Sequence, residues 1–360
     1  MRFTQIENDP NPRLERASDE ECLATWWHQA TPGTTYWRCL VPARHLPGQT
    51  LPLSHDDLVE NEEGQPLLHR QKGDTAIWQF LGDPYRSRVA LGMKDLYGVR
   101  TLMELDDNYL RAAPYAKGRT RSPWKETVQE AHSSGTNYSH EMHRAVVPLV
   151  DGLICSTQYL AEIYSEHHDN IWVCPNSIDP DDWQYEREES DDVFRIVYYG
   201  SPSHLQDTPI ITKALKWASR QPRVEVWTAG FNNPSWSFPH QTIPWNPELD
   251  KARANLFKFD LGLAPLKGNP WSRGKSDIKA LEYAAAGVLP LMSREEPFKP
   301  WFDLWPEFTL EDGEWLDKIK YWVSEGKESV NEVAGWVKEW VFETRSIDQT
   351  IDLWRQAINA

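Results

Sequence analysis

What this sequence has little of sets its first bounds. It has only four cysteines in 360 residues, Cys22, Cys39, Cys155 and Cys174, and they are widely spaced. Neither a zinc-ligand spacing nor a dense disulfide framework can be built from them, so buried, reduced thiols are expected. No apolar run approaches the roughly 18 residues that a membrane-spanning helix needs. The opening segment MRFTQIENDPNPRLERASDEE is polar and lacks the apolar stretch of a secretory signal. A cytoplasmic location without a membrane span is therefore expected. Positive charge is also scarce: 38 Lys and Arg stand against 54 Asp and Glu, a net charge of −16. Broad nucleic-acid binding rests on neutralising phosphates, so this balance argues against it.

What is present is a globular composition, 40% hydrophobic and 26% charged, over a length that suits two domains better than one core. The segments Cys22–His28, Thr75–Leu81, Val99–Leu105, Gly152–Cys155 and Ile171–Cys174 have the composition of short strands. Tyr36–Leu46, His140–Val150 and Gln158–Tyr164 lie among them as helices. The acidic run EREESDD, Glu186–Asp192, carries no apolar residue and reads as a linker. The pattern then restarts. Phe194–Tyr199, Val224–Thr228, Phe259–Pro265 and Val288–Leu291 are strands, with Thr208–Ser219, Pro247–Phe257 and Ser276–Ala286 as helices between them. From Leu316 the chain is helical and rich in tryptophan (Trp322, Trp336, Trp340, Trp354), a pattern that usually means packing. Strands alternating with helices predict two α/β domains, each with a parallel sheet, and a cleft between them.

The stretch RGKSDIKALEYAAAGVLPL, Arg273–Leu291, holds the strongest chemical signal. A strand feeds a loop and then a helix capped by Ser276 or Asp277, and Gly287 ends that helix. Ligands of such units gather beyond the carboxyl ends of the strands, where helix N-termini favour phosphate. Arg273 and Lys275 add full positive charges at that place, as a departing diphosphate would require. Lys275, Lys279 and Glu282 share one helix face. Glu282 either accepts hydrogen bonds from a diol such as a ribose, or forms an exposed ion pair with Lys279. Two glycines suit close ligand approach, Gly33 in the loop ATPGTT and Gly200 at the end of a strand. The one basic stretch, Arg111–Lys125, carries Arg111, Lys117, Arg119, Arg121 and Lys125 without an acid. It is either a solvated loop or a contact surface for an acceptor or phosphate.

Five segments in order resemble a GT-B glycosyltransferase of the family 4 type. They are ICSTQYLAEIY, WVCPNSIDPDDW, RIVYYGSPSHLQD, NPELDKARANLFKFDLGLAPL and KSDIKALEYAAAGVLPL. The resemblance is good over residues 150 to 292 and vaguer before that. It implies a GT-B fold: an acceptor-side Rossmann-like domain over 1–185, a nucleotide-sugar domain over 193–340, and a last helix, 341–360, that returns to the first domain. It also implies a retaining, metal-independent transfer from a UDP- or GDP-linked sugar, with no further cofactor. Glu282 would hold the donor ribose, and Arg273, Lys275 and the helix start with Ser276 and Asp277 would hold the diphosphate.

Departures from the family pattern shape the remaining expectations. Gly274 stands where the family often has a first glutamate, and Ser201, His204 and Gln206 stand where its glycine loop carries Arg and Lys. The family's N-terminal catalytic histidine has no match. MELDDNY occupies its place, so Asp106 or Asp107 is expected either to orient a sugar or acceptor hydroxyl or, with Asn108, to cap a turn. The Asp106-Asp107 pair resembles a metal motif of a different fold, and no metal is expected here. His132, His140 and His143 are surface or packing residues on this reading, and Ser156 lacks the glycines of a nucleophile elbow. A bacterial or phage surface protein or a glycan is the expected acceptor, with modified DNA the alternative through the 111–125 segment. A degenerate GT-B protein that binds a nucleotide or glycan without turnover is the rival from another class.

Overall fold

The computed structural model describes residues 22–28, 32–46, 49–54, 59–60, 66–67, 75–110, 138–187, 191–200, 204–246 and 248–360. The basic 111–125 segment, His132, Ser201 and the side chain of His140 lie outside the described residues. The chain divides into two compact units. The first holds the described residues through Leu110 together with 138–177 and Ile347–Ala360; the second holds those of Ile178–Ser346.

In the first unit the strands are β1 (Cys22–His28), β2 (Gln49–Ser54), β3 (Val59–Glu60), β4 (Pro66–Leu67), β5 (Thr75–Gln79), β6 (Arg100–Leu105), β7 (Gly152–Cys155) and β8 (Ile171–Val173). Six of them form one parallel sheet in the order β2-β1-β5-β6-β7-β8, while β3 and β4 pair antiparallel. β5 is buried along its whole length, as a strand covered on both faces must be. Trp27 of β1 stacks on Trp78 of β5 with ring centroids 5.0 Å apart. The helix Pro84–Tyr97 was not anticipated, although its signals are standard. The Asp83 carboxylate accepts from the Tyr85 and Arg86 N–H groups, Pro84 opens the helix, and Gly98 closes it in the left-handed region.

In the second unit the strands are β9 (Phe194–Tyr199), β10 (Val224–Ala229), β11 (Gln241–Ile243), β12 (Leu261–Ala264), β13 (Leu289–Ser293) and β14 (Thr309–Leu310). They form a wholly parallel sheet in the order β11-β10-β9-β12-β13-β14. The first strand is central. The chain winds outward through β10 and β11, then returns to the other side of β9 for β12, β13 and β14. That reversal is a topological switch point, and it opens a crevice at the carboxyl ends of β9 and β12.

Three expectations change. The described residues of the acidic stretch predicted as a linker, 186–187 and 191–192, belong to the second unit: Arg187 donates to the Phe259 carbonyl and to the buried Asp260, and Asp191 pairs with Arg195. The tryptophans of the tail are not all packing, because Trp336 is exposed whereas Trp322 and Trp354 are buried. The helical tail is two helices, Trp315–Thr344 and Ile347–Asn359, with Gly326 breaking the first at φ 84°. Among the described residues no helix is long and apolar enough to cross a membrane.

Candidate functional site

The crevice of the second unit is built by one tyrosine. β9 and β12 pair only at Leu261 with Ile196 and Gly262 with Val197, and there the ladder stops. Beyond it the Tyr199 N–H donates to the Tyr283 Oη at 2.9 Å, and that hydroxyl donates to the Leu263 carbonyl at 3.2 Å. Tyr283 is fully buried and sits on the helix Ile278–Ala285. Its ring lies on the backbone of Gly262, where an added Cβ would stand 2.4–2.6 Å from ring carbons. Glycine there lets the helix settle against β12 and project its first turns over the strand ends. On the other side of β9, Gly230 has φ 93°, and a Cβ there would come within 2.3 Å of the Gly200 carbonyl.

Charge gathers at this crevice. Lys279 points its Nζ beside Gly200, where an added Cβ would be 3.3 Å from the nitrogen and 3.7 Å from the His204 Cδ2. The Nζ also lies 5.3 Å from the centre of the Tyr198 ring. It is shielded from solvent and has no hydrogen-bond partner among the described residues. The exposed Lys279–Glu282 ion pair considered from the sequence therefore does not form. Burial lowers the ammonium to a pKa of about 7; Asp207 and Glu282 act against the fall, and Lys275 adds to it. The His204 Nδ1 lies 3.0 Å from the Asp207 Oδ2, whose other oxygen accepts the Lys267 N–H. Burial, and then Lys279, hold His204 down at about 3, so its ring is neutral near pH 7. A neutral ring beside a carboxylate carries its proton on Nδ1, leaving Nε2 as an acceptor. Lys275 sets its Nζ 4.7 Å from the Trp271 ring centre. Glu282 is half-buried on the same helix; burial, and then the Glu282 charge, raise the pKa of the Tyr199 hydroxyl.

Other sequence candidates have different employment. Arg273 is 48% exposed and pairs with Glu295 at 3.3 Å, so its charge is partly committed at the surface. Asp277 precedes the helix but does not cap it with its side chain. Its buried carboxylate accepts from the Trp301 Nε1 at 2.9 Å and from both terminal nitrogens of Arg345, at 2.8 and 3.2 Å. It fixes the start of the helix from behind. Ser276 is half-buried just before it. Gly33 is exposed in the short helix Pro32–Thr35, and no described atom crowds it. Tyr283, Lys279 as a shielded amine without a hydrogen-bond partner among the described residues, Asp207 and Arg345 were not picked out from the sequence.

At the carboxyl end of β6 in the first unit, Asp106 joins a buried polar chain. Its Oδ1 accepts from the Asn176 Nδ2 at 3.3 Å, and the Asn176 Oδ1 accepts from Arg38 at 3.1 Å. Arg38 also donates to the Glu104 Oε1 at 2.6 Å and to the Cys174 carbonyl at 2.7 Å. Arg38 and Glu104 are wholly buried, and burial lifts the Glu104 carboxyl to about 7 despite Arg38. Asp106 is thus tied inward, while its neighbour Asp107 is half-buried. His143 is a packing residue: Nδ1 lies 3.0 Å from the Leu81 carbonyl and Nε2 2.8 Å from the Tyr164 hydroxyl. Cys39, Cys155 and Cys174 are free and buried, and burial pushes all three thiols up.

No protein-family model and no curated protein matches this sequence. Solved structures do match its fold. A structure of Anabaena HepE in complex with UDP and glucose is similar with a TM-score of 0.63 at 9% identity, over 94% of this chain and 99% of that one. Trehalose-6-phosphate synthase, in a study of glycosyltransfer with retention, matches with a TM-score of 0.52 at 11% identity, over 81% of this chain and 74% of the other. TarM matches with a TM-score of 0.54 at 9% identity over 79% of this chain, which spans only 55% of the TarM chain. With two parallel-sheet units of this strand order and these neighbours, the chain has the GT-B fold, two Rossmann-like domains in one polypeptide.

Proposed function

We propose that the protein is a glycosyltransferase that moves a sugar from a UDP- or GDP-linked donor to an acceptor hydroxyl, with retention and without a metal ion. One observation carries this: on one helix at the switch-point crevice of the second unit stand the Glu282 carboxylate and the Lys279 Nζ, which has no hydrogen-bond partner among the described residues, with Lys275 just before the helix. A GT-B neighbour is described in complex with UDP and glucose, and another in a study of transfer with retention.

On this proposal Glu282 accepts hydrogen bonds from the ribose hydroxyls. Lys275, the start of the 278–285 helix with Ser276, and the backbone at Gly200 receive the diphosphate, and Arg273 lies at its outer edge. Positive charge held in place where negative charge develops on the leaving group would take over what a metal does elsewhere. Asp107, with Asp106 holding its turn, is assigned to a sugar or acceptor hydroxyl in the first unit. A protein or glycan acceptor fits the acidic chain better than DNA.

The test is a binding and turnover panel of UDP-, GDP-, ADP- and dTDP-sugars in the presence of a chelator. Selective binding followed by transfer or donor hydrolysis supports the proposal. Binding without any turnover points to a degenerate GT-B binding protein, and no binding of any of them refutes both.

A further inference from the structure

Lysine ordinarily buries its methylene stem and keeps its ammonium in water. Lys279 does the reverse. The residue is half-buried, yet the shielded atom is Nζ, and no described residue gives it a hydrogen bond. An ammonium held that way either sheds its proton or awaits an anion.

The groups around it explain why the protein does not supply that anion itself. Asp207 is the strongest source of attraction, but its two carboxylate oxygens are engaged by the His204 ring and the Lys267 N–H. Glu282 attracts it more weakly, and Lys275 repels it. His204 is neutral, and the Tyr198 ring offers only its face. Beside the nitrogen, Gly200 has no side chain: a Cβ there would stand 3.3 Å from the Lys279 Nζ and 3.7 Å from the His204 Cδ2. Both groups border the carboxyl end of β9, at the switch point.

We infer that Lys279 joins Lys275 as a ligand of the donor's diphosphate, and that it takes up a proton from solvent as the donor binds. The inference rests on the nucleotide-sugar function proposed above and deepens it. No covalent bond forms. A neutral amine becomes an ammonium, the proton comes from the buffer, and the new charge is matched by a phosphate oxygen. Without the donor, burial keeps the amine near half-protonation around pH 7. With the diphosphate against it the opposite charge favours the ammonium. The departing diphosphate then leaves against a cation that was made only for it.

Calorimetry of UDP and of GDP binding to the full chain tests this at pH 8, in two buffers of different ionisation enthalpy. The terminal phosphate of the nucleotide is then almost fully ionised, so a proton taken up goes to the protein. Close to one proton per nucleotide is expected for the wild type. In Lys279→Met the uptake should vanish and the affinity should fall about tenfold or more. Its melting temperature should be unchanged or higher, which verifies the fold. Wild-type binding without proton uptake, or equal affinity and uptake in Lys279→Met, overturns the inference. If the methionine variant keeps full affinity while Glu282→Ala loses it, the assignment of Lys279 fails and the nucleotide-sugar function stands. If neither nucleotide binds the wild type, both fail together.

Discussion

Replacing Tyr283 with phenylalanine removes one oxygen and tests how the crevice is held open. That oxygen takes the Tyr199 N–H where the β9–β12 ladder has ended, and gives its own proton to the Leu263 carbonyl. In Tyr283→Phe the Tyr199 N–H is left beside a benzene edge in a half-buried place. An unsatisfied buried group costs about 1–3 kcal/mol, and the Leu263 carbonyl, with a second lone pair, suffers less. A loss of about 2 kcal/mol lowers a urea midpoint by about 1 M at ordinary slopes. The assay is urea unfolding of the second unit combined with hydrogen exchange of the 194–200 segment. The Tyr199 amide should exchange faster in the variant while the rest of β9 stays protected. Donor affinity should also weaken, because the same hydroxyl links the strand end before Gly200 to the helix that carries Lys279 and Glu282. A variant with an unchanged midpoint and an unchanged Tyr199 exchange rate would refute the reasoning.

Three further predictions follow from other contacts. Asp277→Asn should destabilise the second unit by about 3 kcal/mol, read by chemical denaturation, because it removes the buried carboxylate to which both terminal nitrogens of Arg345 donate. Arg38→Met should cost about 3–5 kcal/mol in the first unit, since it leaves Glu104 sealed without its cation. The pH dependence of Lys279 has a definite sign. Its folded pKa of about 7 lies below its ordinary 10.5, so between those values the unfolded chain binds more protons and this residue's contribution to stability rises with pH. The extra stability of Lys279→Met should accordingly be largest below pH 7 and shrink toward pH 10, measured as the difference between the two denaturation midpoints.

Much of the fold was legible because buried parallel strands are short apolar runs. β7, β9 and the helix Gln158–Tyr164 lie where the sequence placed them. The elements missed are edge or polar ones. β11 is QTI and largely exposed, β14 has two residues, and the helix Pro84–Tyr97 has a polar sequence whose apolar stripe is narrow. Their existence is decided by neighbours rather than by their own pattern. The site was half legible. Spacing put Lys275, Lys279 and Glu282 on one helix face, but the helix starts at Ile278 and Lys275 precedes it in extended backbone; nor could spacing tell an exposed ion pair from a shielded, unpartnered amine. That difference depends on Gly200 and on a His204–Asp207 contact that spacing alone does not establish. Arg273 and Asp277 looked like phosphate ligands by position. Their partners Glu295 and Arg345 lie 22 and 68 residues away, beyond the reach of any local motif.

The most direct measurement is calorimetry of UDP and GDP binding, in chelator, to the wild type and to Glu282→Ala. Glu282 is the one carboxylate on the helix of the crevice, and losing hydrogen bonds from a charged group to two hydroxyls costs about 1.5–3 kcal/mol, or roughly ten- to a hundredfold in affinity. The account predicts metal-free binding of one nucleotide by the wild type and that loss in the variant, with both proteins equally folded. Equal affinity in the two would remove the ribose from Glu282 and contradict the account's central assignment.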